Sequence, residues 1–439
     1  MADFKHFTGD SFHILQQFPD NSVDSVVTDA PYGLGDEPDP LAVLSDWVTK
    51  GYHDVKAKGG FMGRNWDAFV PQPLLWREVF RVLKPGGHLL SFFGTRTFDW
   101  GVMALRLAGF EVRDQIAWTY GEGMPKGLDV SKAIDRHLGE TRRVQMVAKA
   151  GNLFDEAGEM VAGTTWDVGG SAVLNLRKGE KREVFSAATD PATDAARDWE
   201  GWNTGLKPAW EPIVVCRKPM VGSVAENVLE FGTGAMNADG CRIGTKDDTT
   251  AAMGSTRSIY GQDNAAGKIS GGPGLGRWPA NLCHDGSDDV LSTFGGVDNN
   301  PARFFYCAKA TRKDRDEGLE KFAEMLSTEI ERRPDVSPGI LNGRAGTGRT
   351  GGIKNAHPTV KPTDLMRWLC RLVTPQGGTV LDPFAGSGST GKAAAWEGFG
   401  FIGIELDAIM TEIGKARTLY GFQQYLAEKE RQKIRPTLF

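Results

Sequence analysis

Val380-Leu381-Asp382-Pro383-Phe384-Ala385-Gly386-Ser387-Gly388-Ser389-Thr390-Gly391 runs from a short apolar strand signal, through an acid, into the spacing G-x-G-x-x-G. Glycines so placed let a strand turn sharply into a helix and leave the backbone open to close approach. A helix pattern continues from Ser389 to Glu397, and the next strand, Phe401-Ile402-Gly403-Ile404-Glu405, ends in a second acid. Upstream, a helix pattern from Thr363 to Val373 stops at Pro375-Gln376-Gly377-Gly378 before the strand Thr379-Val380-Leu381. The amino-terminal part repeats the alternation: strand Val23 to Thr28, helix Leu74 to Leu83, a stop at Lys84-Pro85-Gly86-Gly87, and strand His88 to Phe93. Strand and helix in turn specify an α/β fold. The two blocks are expected to be halves of one doubly wound, Rossmann-like sheet.

At 439 residues the chain is long enough for one large domain with an insertion, or for two domains. We divide it into a first half-domain, 1–220, with a surface excursion at about 139–197; an irregular region, 221–356, rich in glycine, serine, asparagine and threonine; and a second half-domain, 357–439. The five cysteines are far apart and form no C-x-x-C pair, which suits reduced thiols better than disulfides or zinc. No metal is expected. A formal net charge of −5 argues against a protein that coats nucleic acid indiscriminately, while leaving room for a local basic groove. No stretch has the length of a signal peptide core or a membrane span, so the expected location is the cytoplasm, with no membrane partner.

The acid before the glycine loop narrows its ligand. Asp382 would repel a pyrophosphate and attract a ligand carrying an ammonium and a sulfonium, as S-adenosylmethionine does. Glu405 can accept ribose hydroxyls in either case. The alternative is a tight strand-to-helix turn with no ligand. A second acid ends the strand in Ser25-Val26-Val27-Thr28-Asp29-Ala30-Pro31-Tyr32-Gly33-Leu34-Gly35. An exocyclic amine on adenine or cytosine is a poor nucleophile because its lone pair is delocalised into the ring. Two acceptors on its hydrogens would free that pair for in-line attack on a methylsulfonium. The Asp29 carboxylate and the Ala30 carbonyl can be those acceptors, with Pro31 holding Ala30 extended. Tyr32 offers a ring for the base to stack on, a contact worth about 1–3 kcal/mol. Taken alone, D-x-P-Y also suits a solvated turn.

Together these motifs resemble the bacterial and phage DNA amino-methyltransferases, in the group whose catalytic motif precedes the cofactor loop. The resemblance runs through Gly9-Asp10, Asp29-Ala30-Pro31-Tyr32, Leu83-Lys84-Pro85-Gly86-Gly87, His357-Pro358-Thr359-Val360-Lys361-Pro362 and Asp382-Pro383-Phe384-Ala385-Gly386-Ser387-Gly388. It implies the methyltransferase form of the doubly wound sheet, S-adenosylmethionine as donor with S-adenosylhomocysteine as product, and a base flipped out of double-stranded DNA. It further implies a homodimer and a companion restriction endonuclease among the partners.

Residue by residue, the resemblance puts Asp29, Ala30, Pro31 and Tyr32 in catalysis. Asp382, Pro383, Phe384, Gly386 and Gly388 fall in the methionine-binding loop, and Glu405 on the ribose. It puts Asp10 near the cofactor adenine and His357, Thr359 and Lys361 at its methionine end. Asp10 could instead cap a helix from Ser11, and Lys361-Pro362 could start the helix from Thr363. The family's motif has proline where this chain has Ala30, which removes one fixed φ from the loop but keeps the carbonyl. An acid in first position resembles the adenine-N6 branch more than the cytosine-N4 branch.

Target recognition in this family lies between the two blocks, here 221–356. The best basic cluster is Arg303 to Arg315, in which Arg303, Lys309, Arg312, Lys313 and Arg315 interleave with aromatics, suited either to phosphate and base contact or to an aromatic strand with a solvated end. Lys126 and Arg277, the latter beside Trp278, are further candidates for DNA binding. The rivals are a cytosine-N4 enzyme, a catalytically idle DNA-binding relative, and a nicotinamide dehydrogenase, which Asp382 opposes.

Overall fold

The computed structural model describes residues 3–55, 65–121, 123, 127–142, 144–149, 184–244, 276–294, 302, 305–307, 312–322, 354–355, 357 and 359–434. The strands are β1 (Phe4–Thr8), β2 (Val23–Asp29), β3 (Leu83–Phe92), β4 (Glu111–Thr119), β5 (Val144–Lys149), β6 (Val184–Thr189), β7 (Trp210–Arg217), β8 (Leu282–His284), β9 (Tyr306–Cys307), β10 (Thr379–Asp382) and β11 (Gly400–Glu405). The helices are α1 (Ser11–Leu15), α2 (Pro40–Thr49), α3 (Pro73–Val82), α4 (Phe98–Leu107), α5 (Val130–His137), α6 (Asp194–Asp198), α7 (Val224–Phe231), α8 (Asp288–Thr293), α9 (Arg312–Asp316), α10 (Thr363–Val373), α11 (Ser389–Trp396) and α12 (Ala408–Ile434). None of the helices among the described residues is long and apolar enough to cross a membrane.

Among the described residues, nine strands form one sheet in the order β1-β11-β10-β2-β3-β7-β4-β8-β9. The two sequence blocks therefore do share a sheet, interleaved rather than side by side: β10 and β11, from the end of the chain, lie between β1 and β2. From β1 to β3 every pairing is parallel, whereas β7 runs antiparallel to both β3 and β4. A parallel sheet needs cover on both faces, which is why its strands read as continuous apolar runs.

Successive side chains supply opposite faces, as the pleat requires. Val26, Leu89, Val214 and Leu381 join a core with Trp47, Trp76 and Trp100 from α2, α3 and α4. Val27, Leu90, Val215 and Val380 join a second core with Trp368, Leu369 and Ala393 from α10 and α11.

Two expectations are corrected. Lys84-Pro85-Gly86-Gly87 does not stop a helix ahead of a strand; α3 ends at Val82 and these residues are a bulge inside β3, since Val23 pairs with Leu83 and Ser25 with His88. Gly86 takes φ +76° there, Lys84 reaches back to Asp24 at 2.6 Å, and the Pro85 carbonyl accepts from Asn227 and Thr233. Proline and glycine in a strand thus mark the bulge rather than its boundary. The irregular region also adds structure to the sheet, because β8 pairs with β4 and β9 with β8, both in parallel.

The chain divides into two compact units, Met1–Glu122 with Ala209–Phe439, and Gly123–Pro208. Within the second, β5 and β6 form an antiparallel pair. Asp135 is buried there and accepts from Arg142 at 2.6 Å and the Thr193 hydroxyl at 2.8 Å.

Trp47 is fully buried, edge-on to Trp100 with centroids 5.4 Å apart, and its indole N–H donates to Gln72 at 2.9 Å. Trp47→Ala is expected to destabilise the first unit by about 3–5 kcal/mol, read as a lowered midpoint in denaturant-induced unfolding.

Candidate functional site

Adjacent strands β10 and β2 send the chain in opposite directions. β10 leads through α11 to β11 on one side, and β2 leads through α2 and α3 to β3 on the other. In a doubly wound sheet the crevice outside the carboxyl ends of two such strands is where ligands bind. Asp382 ends β10 and Asp29 ends β2.

The glycine loop lies on the β10 side. Gly386 and Gly388 have φ of +50° and +77°, in the left-handed region that favours glycine. A methyl group on Gly388 would lie 2.6 Å from the Gly414 Cα of α12, and one on Gly386 would lie 2.9 Å from His357 Nε2. The Gly386 N–H donates to Glu405 Oε2 at 2.8 Å, and Asp407 N–H to Oε1 at 2.9 Å. Both oxygens of Glu405 are therefore already oriented by backbone amides, with lone pairs to spare. Arg417, fully buried, donates to the Ser387 carbonyl at 2.7 Å, and Asn355 donates to the Ser387 hydroxyl at 3.0 Å.

Asp382 is buried. Its Oδ1 accepts from the Thr28 hydroxyl at 2.6 Å and the Phe384 N–H at 3.1 Å. Burial pushes its pKa up to about 6, against these hydrogen bonds and one from Thr390, and the nearby charge of Asp29 adds to the rise. Pro383 accepts from the Ser11 hydroxyl, and the Phe384 ring meets Trp76 edge-on at 5.9 Å.

On the β2 side the motif turn is held by a residue far away in sequence. Asp67 is buried and accepts, through Oδ1, the N–H of Tyr32 at 2.7 Å and of Gly33 at 3.0 Å, while its carbonyl accepts the N–H of Leu34 at 2.9 Å. Three consecutive amides thus end on one residue. The Thr97 hydroxyl donates to the Tyr32 carbonyl and Arg96 to the Gly35 carbonyl at 3.1 Å.

Around Asp29 stands a cluster that includes one more acid than the sequence suggested. Lys361 Nζ lies 2.9 Å from Asp29 Oδ2, 3.1 Å from Glu211 Oε2 and 3.0 Å from the Tyr32 hydroxyl, which itself donates to Glu211 Oε2 at 2.8 Å. The Tyr120 hydroxyl donates to Glu211 Oε1 at 3.4 Å. The ammonium also lies over the rings of Tyr32 and Phe92, 5.3 and 5.0 Å from their centroids. Asp29 Oδ1 is buried with no hydrogen-bond partner among the described residues.

Burial raises the pKa of Asp29, helped by the charge of Glu211, with Lys361 pulling it down. Burial acts against the Lys361 ammonium too, but Asp29 and Glu211 outweigh it and its pKa is raised. Tyr32 is held well above the usual phenol range by burial and by the same two acids.

Glu211 and Asp67 are not found by the sequence reading. Glu211 directly precedes the apolar run Pro212-Ile213-Val214-Val215-Cys216, so it reads as a strand start remote from any strand end. Only the antiparallel direction of β7, with Ile213 opposite Phe92 and Phe92 opposite Asp29, brings it to the rim where Asp29 sits. Asp67 acts on backbone amides, which carry no residue signature.

The other candidates are placed as follows. Asp10 caps α1, accepting from the His13 N–H at 3.1 Å, two residues beyond β1, whose last residue Thr8 pairs with Glu405. His357 is half-buried against Gly386, and the exposed Thr359 donates its N–H to His357 Nδ1 at 3.4 Å. Lys361 joins the Asp29 cluster. Arg277 pairs with Ile243 through its backbone, while Trp278 lies exposed beneath the Arg242 guanidinium at 5.1 Å. Arg315, the last cation of the basic cluster, is half-buried and donates through Nη1 to the carbonyls of His357 at 2.6 Å and Asn355 at 3.2 Å. Lys126, Arg303 and Lys309 lie outside the described residues, as do the side chains of Arg312 and Lys313 in α9.

A segment of 61 residues is 43% identical to the DNA adenine methyltransferase YhdJ of Escherichia coli, covering 14% of this chain and 21% of that protein. Another of 61 residues is 41% identical to the type II methyltransferase M2.DpnII of Streptococcus pneumoniae, covering 14% and 23%. The chain thus matches about a fifth of the length of these relatives. Among solved structures, the cytosine-N4-specific PvuII DNA methyltransferase aligns over 97% of this chain and 92% of its own, at 12% identity and a TM-score of 0.42. The family model for DNA methylases of the N6/N4 type matches residues 23–140 and 202–415, which include Asp29, Glu211, Lys361, Asp382 and Glu405. The chain belongs to the N6/N4 DNA methylase family.

Proposed function

We propose that this protein transfers a methyl group from S-adenosylmethionine to the exocyclic amine of a base flipped from double-stranded DNA, and that the base is adenine, methylated at N6. The observation that carries the reading is the bond of 2.6 Å from Thr28 to Asp382, which ties the amine-binding strand end to the cofactor loop across the switch between β2 and β10. Asp29, one residue after Thr28, is thereby held beside the loop that would present the methyl donor.

The residues of the loop fit that donor. Gly386 and Gly388 leave backbone that a Cβ would close, and Asp382 and Glu405 form an acidic rim suited to an ammonium and to ribose hydroxyls. S-adenosylmethionine, when bound, supplies an electrophilic methyl on a sulfonium. The chain's own part is positional: Asp29 Oδ1 and the Ala30 carbonyl would accept the two amine hydrogens, and Tyr32 would stack on the base. Asp67 keeps those groups in place by fixing the turn that follows them. The first-position acid and the similarity to a protein named as a DNA adenine methyltransferase favour adenine over cytosine.

Three outcomes are expected. Incubation with methyl-labelled S-adenosylmethionine and duplex DNA should label the DNA, and nucleoside analysis should give N6-methyladenine; N4-methylcytosine alone would overturn the choice of base. Cofactor affinity should fall as pH drops through about 6, since Asp382 attracts an ammonium only as a carboxylate; calorimetric titration across pH 5 to 8 measures this.

Gly388→Ala should weaken cofactor binding far more than Gly377→Ala. Both replace a glycine of positive φ, at a cost of about 1–2 kcal/mol, but only the methyl at 388 meets backbone. Equal effects in the same titration would contradict the role of the loop.

A further inference from the structure

Resting on the proposed methyl transfer, the cluster at Asp29 supports one more assignment. A carboxylate at the end of a buried strand has two oxygens, and only one can serve an incoming amine hydrogen if the other is fixed. Here Asp29 Oδ2 is fixed by Lys361 at 2.9 Å, and the Oδ1 atom is a buried acceptor with no hydrogen-bond partner among the described residues. An acceptor in that state is stabilised by any donor that arrives.

Lys361 does not depend on Asp29 alone. Lys361 is 5% exposed, and its ammonium also meets Glu211 at 3.1 Å and the Tyr32 hydroxyl at 3.0 Å. Glu211 is in turn oriented by the Tyr32 and Tyr120 hydroxyls. The groups facing Asp29 are therefore Lys361, Glu211, Tyr32 and, from β10, Asp382: one cation against two further acids.

We propose that Lys361 and Glu211 are positioning residues for Asp29, the ammonium fixing one carboxylate oxygen in its ionised form and Glu211 holding the ammonium in place. Neither contacts the reacting atoms in this scheme. A half-buried carboxylate beside two acids would take up a proton more readily without its countercharge, and a protonated Asp29 would be a weaker acceptor for the amine. Glu211 acts in two opposed ways: it anchors the cation that favours the ionised form, and its own charge disfavours that form.

The two variants should therefore move the acid limb of transfer in opposite directions. Transfer needs the carboxylate, so it is present above the Asp29 pKa and lost as pH falls through it. Removing the cation raises that pKa; Glu211→Gln keeps an amide oxygen that can accept from Lys361 and removes only the neighbouring charge, which lowers it. Single-turnover rates across pH 5 to 9, with saturating S-adenosylmethionine and duplex DNA, are expected to show an acid limb higher by about one pH unit or more in Lys361→Met, with transfer recovering as pH rises. In Glu211→Gln the limb should move down, and in Lys361→Arg, which keeps the charge, it should stay near that of the unaltered protein.

Loss of amplitude with no movement of the limb in Lys361→Met and Glu211→Gln would overturn the assignment, as would a raised KM for S-adenosylmethionine in Lys361→Met with an unmoved limb, which would put Lys361 on the cofactor. Absence of methyl transfer by the unaltered protein would instead remove the function on which the assignment rests.

Discussion

Asp382, buried, and Asp29, half-buried, stand near each other at the carboxyl ends of adjacent parallel strands, and the charge of Asp29 adds to the cost that burial sets on ionising Asp382. Such an arrangement is unfavourable for the fold unless partners are supplied. The chain supplies them differently on the two sides. Asp382 receives hydrogen bonds from Thr28, Thr390 and the Phe384 amide, whereas Asp29 shares the Lys361 ammonium with Glu211 through one oxygen and has no hydrogen-bond partner on the other among the described residues. The difference fits the proposed division, in which Asp382 faces the cofactor and Asp29 the amine.

The remaining architecture keeps these two strand ends in register. Trp47, Trp76 and Trp100 on one face and Trp368 on the other pin the helices against β2, β3 and β10. The connection into the motif is less fixed by covalent means than the family pattern expects, since Ala30 stands in place of a proline. Asp67 offers a substitute: three amides of the following turn end on it, so the path of Tyr32, Gly33 and Leu34 is set by hydrogen bonds. Buried cations play the matching part at the glycine loop, where Arg417 holds Ser387 and Lys392 meets Glu317 at 2.6 Å.

Much of this is legible in the sequence because it depends on local patterning. The runs Val23 to Thr28 and Thr379 to Leu381 read as buried strands, and Asp29 and Asp382 read as the acids that end them. Periodicity also gives α10 and α11 to within a residue. What was not legible depends on chain direction and long-range contact. Glu211 looks like any acid before a strand until β7 is known to run against β3, and Lys361, read as lining the methionine end of the cofactor or as starting a helix, is tied to Asp29 only by an ammonium that lies between two carboxylates. Lys84-Pro85-Gly86-Gly87 misleads for a related reason: a bulge and a boundary use the same residues, and only the pairing partner tells them apart.

The central claim is that Asp382 serves the cofactor and Asp29 serves the amine, as separate tasks at one crevice. The most direct measurement is paired calorimetric binding of S-adenosylmethionine and methyl transfer to duplex DNA in Asp29→Asn and Asp382→Asn. The account predicts that Asp29→Asn binds the cofactor like the unaltered protein and transfers no methyl, while Asp382→Asn loses cofactor binding. Undiminished transfer by Asp29→Asn, or undiminished cofactor binding by Asp382→Asn, would contradict it.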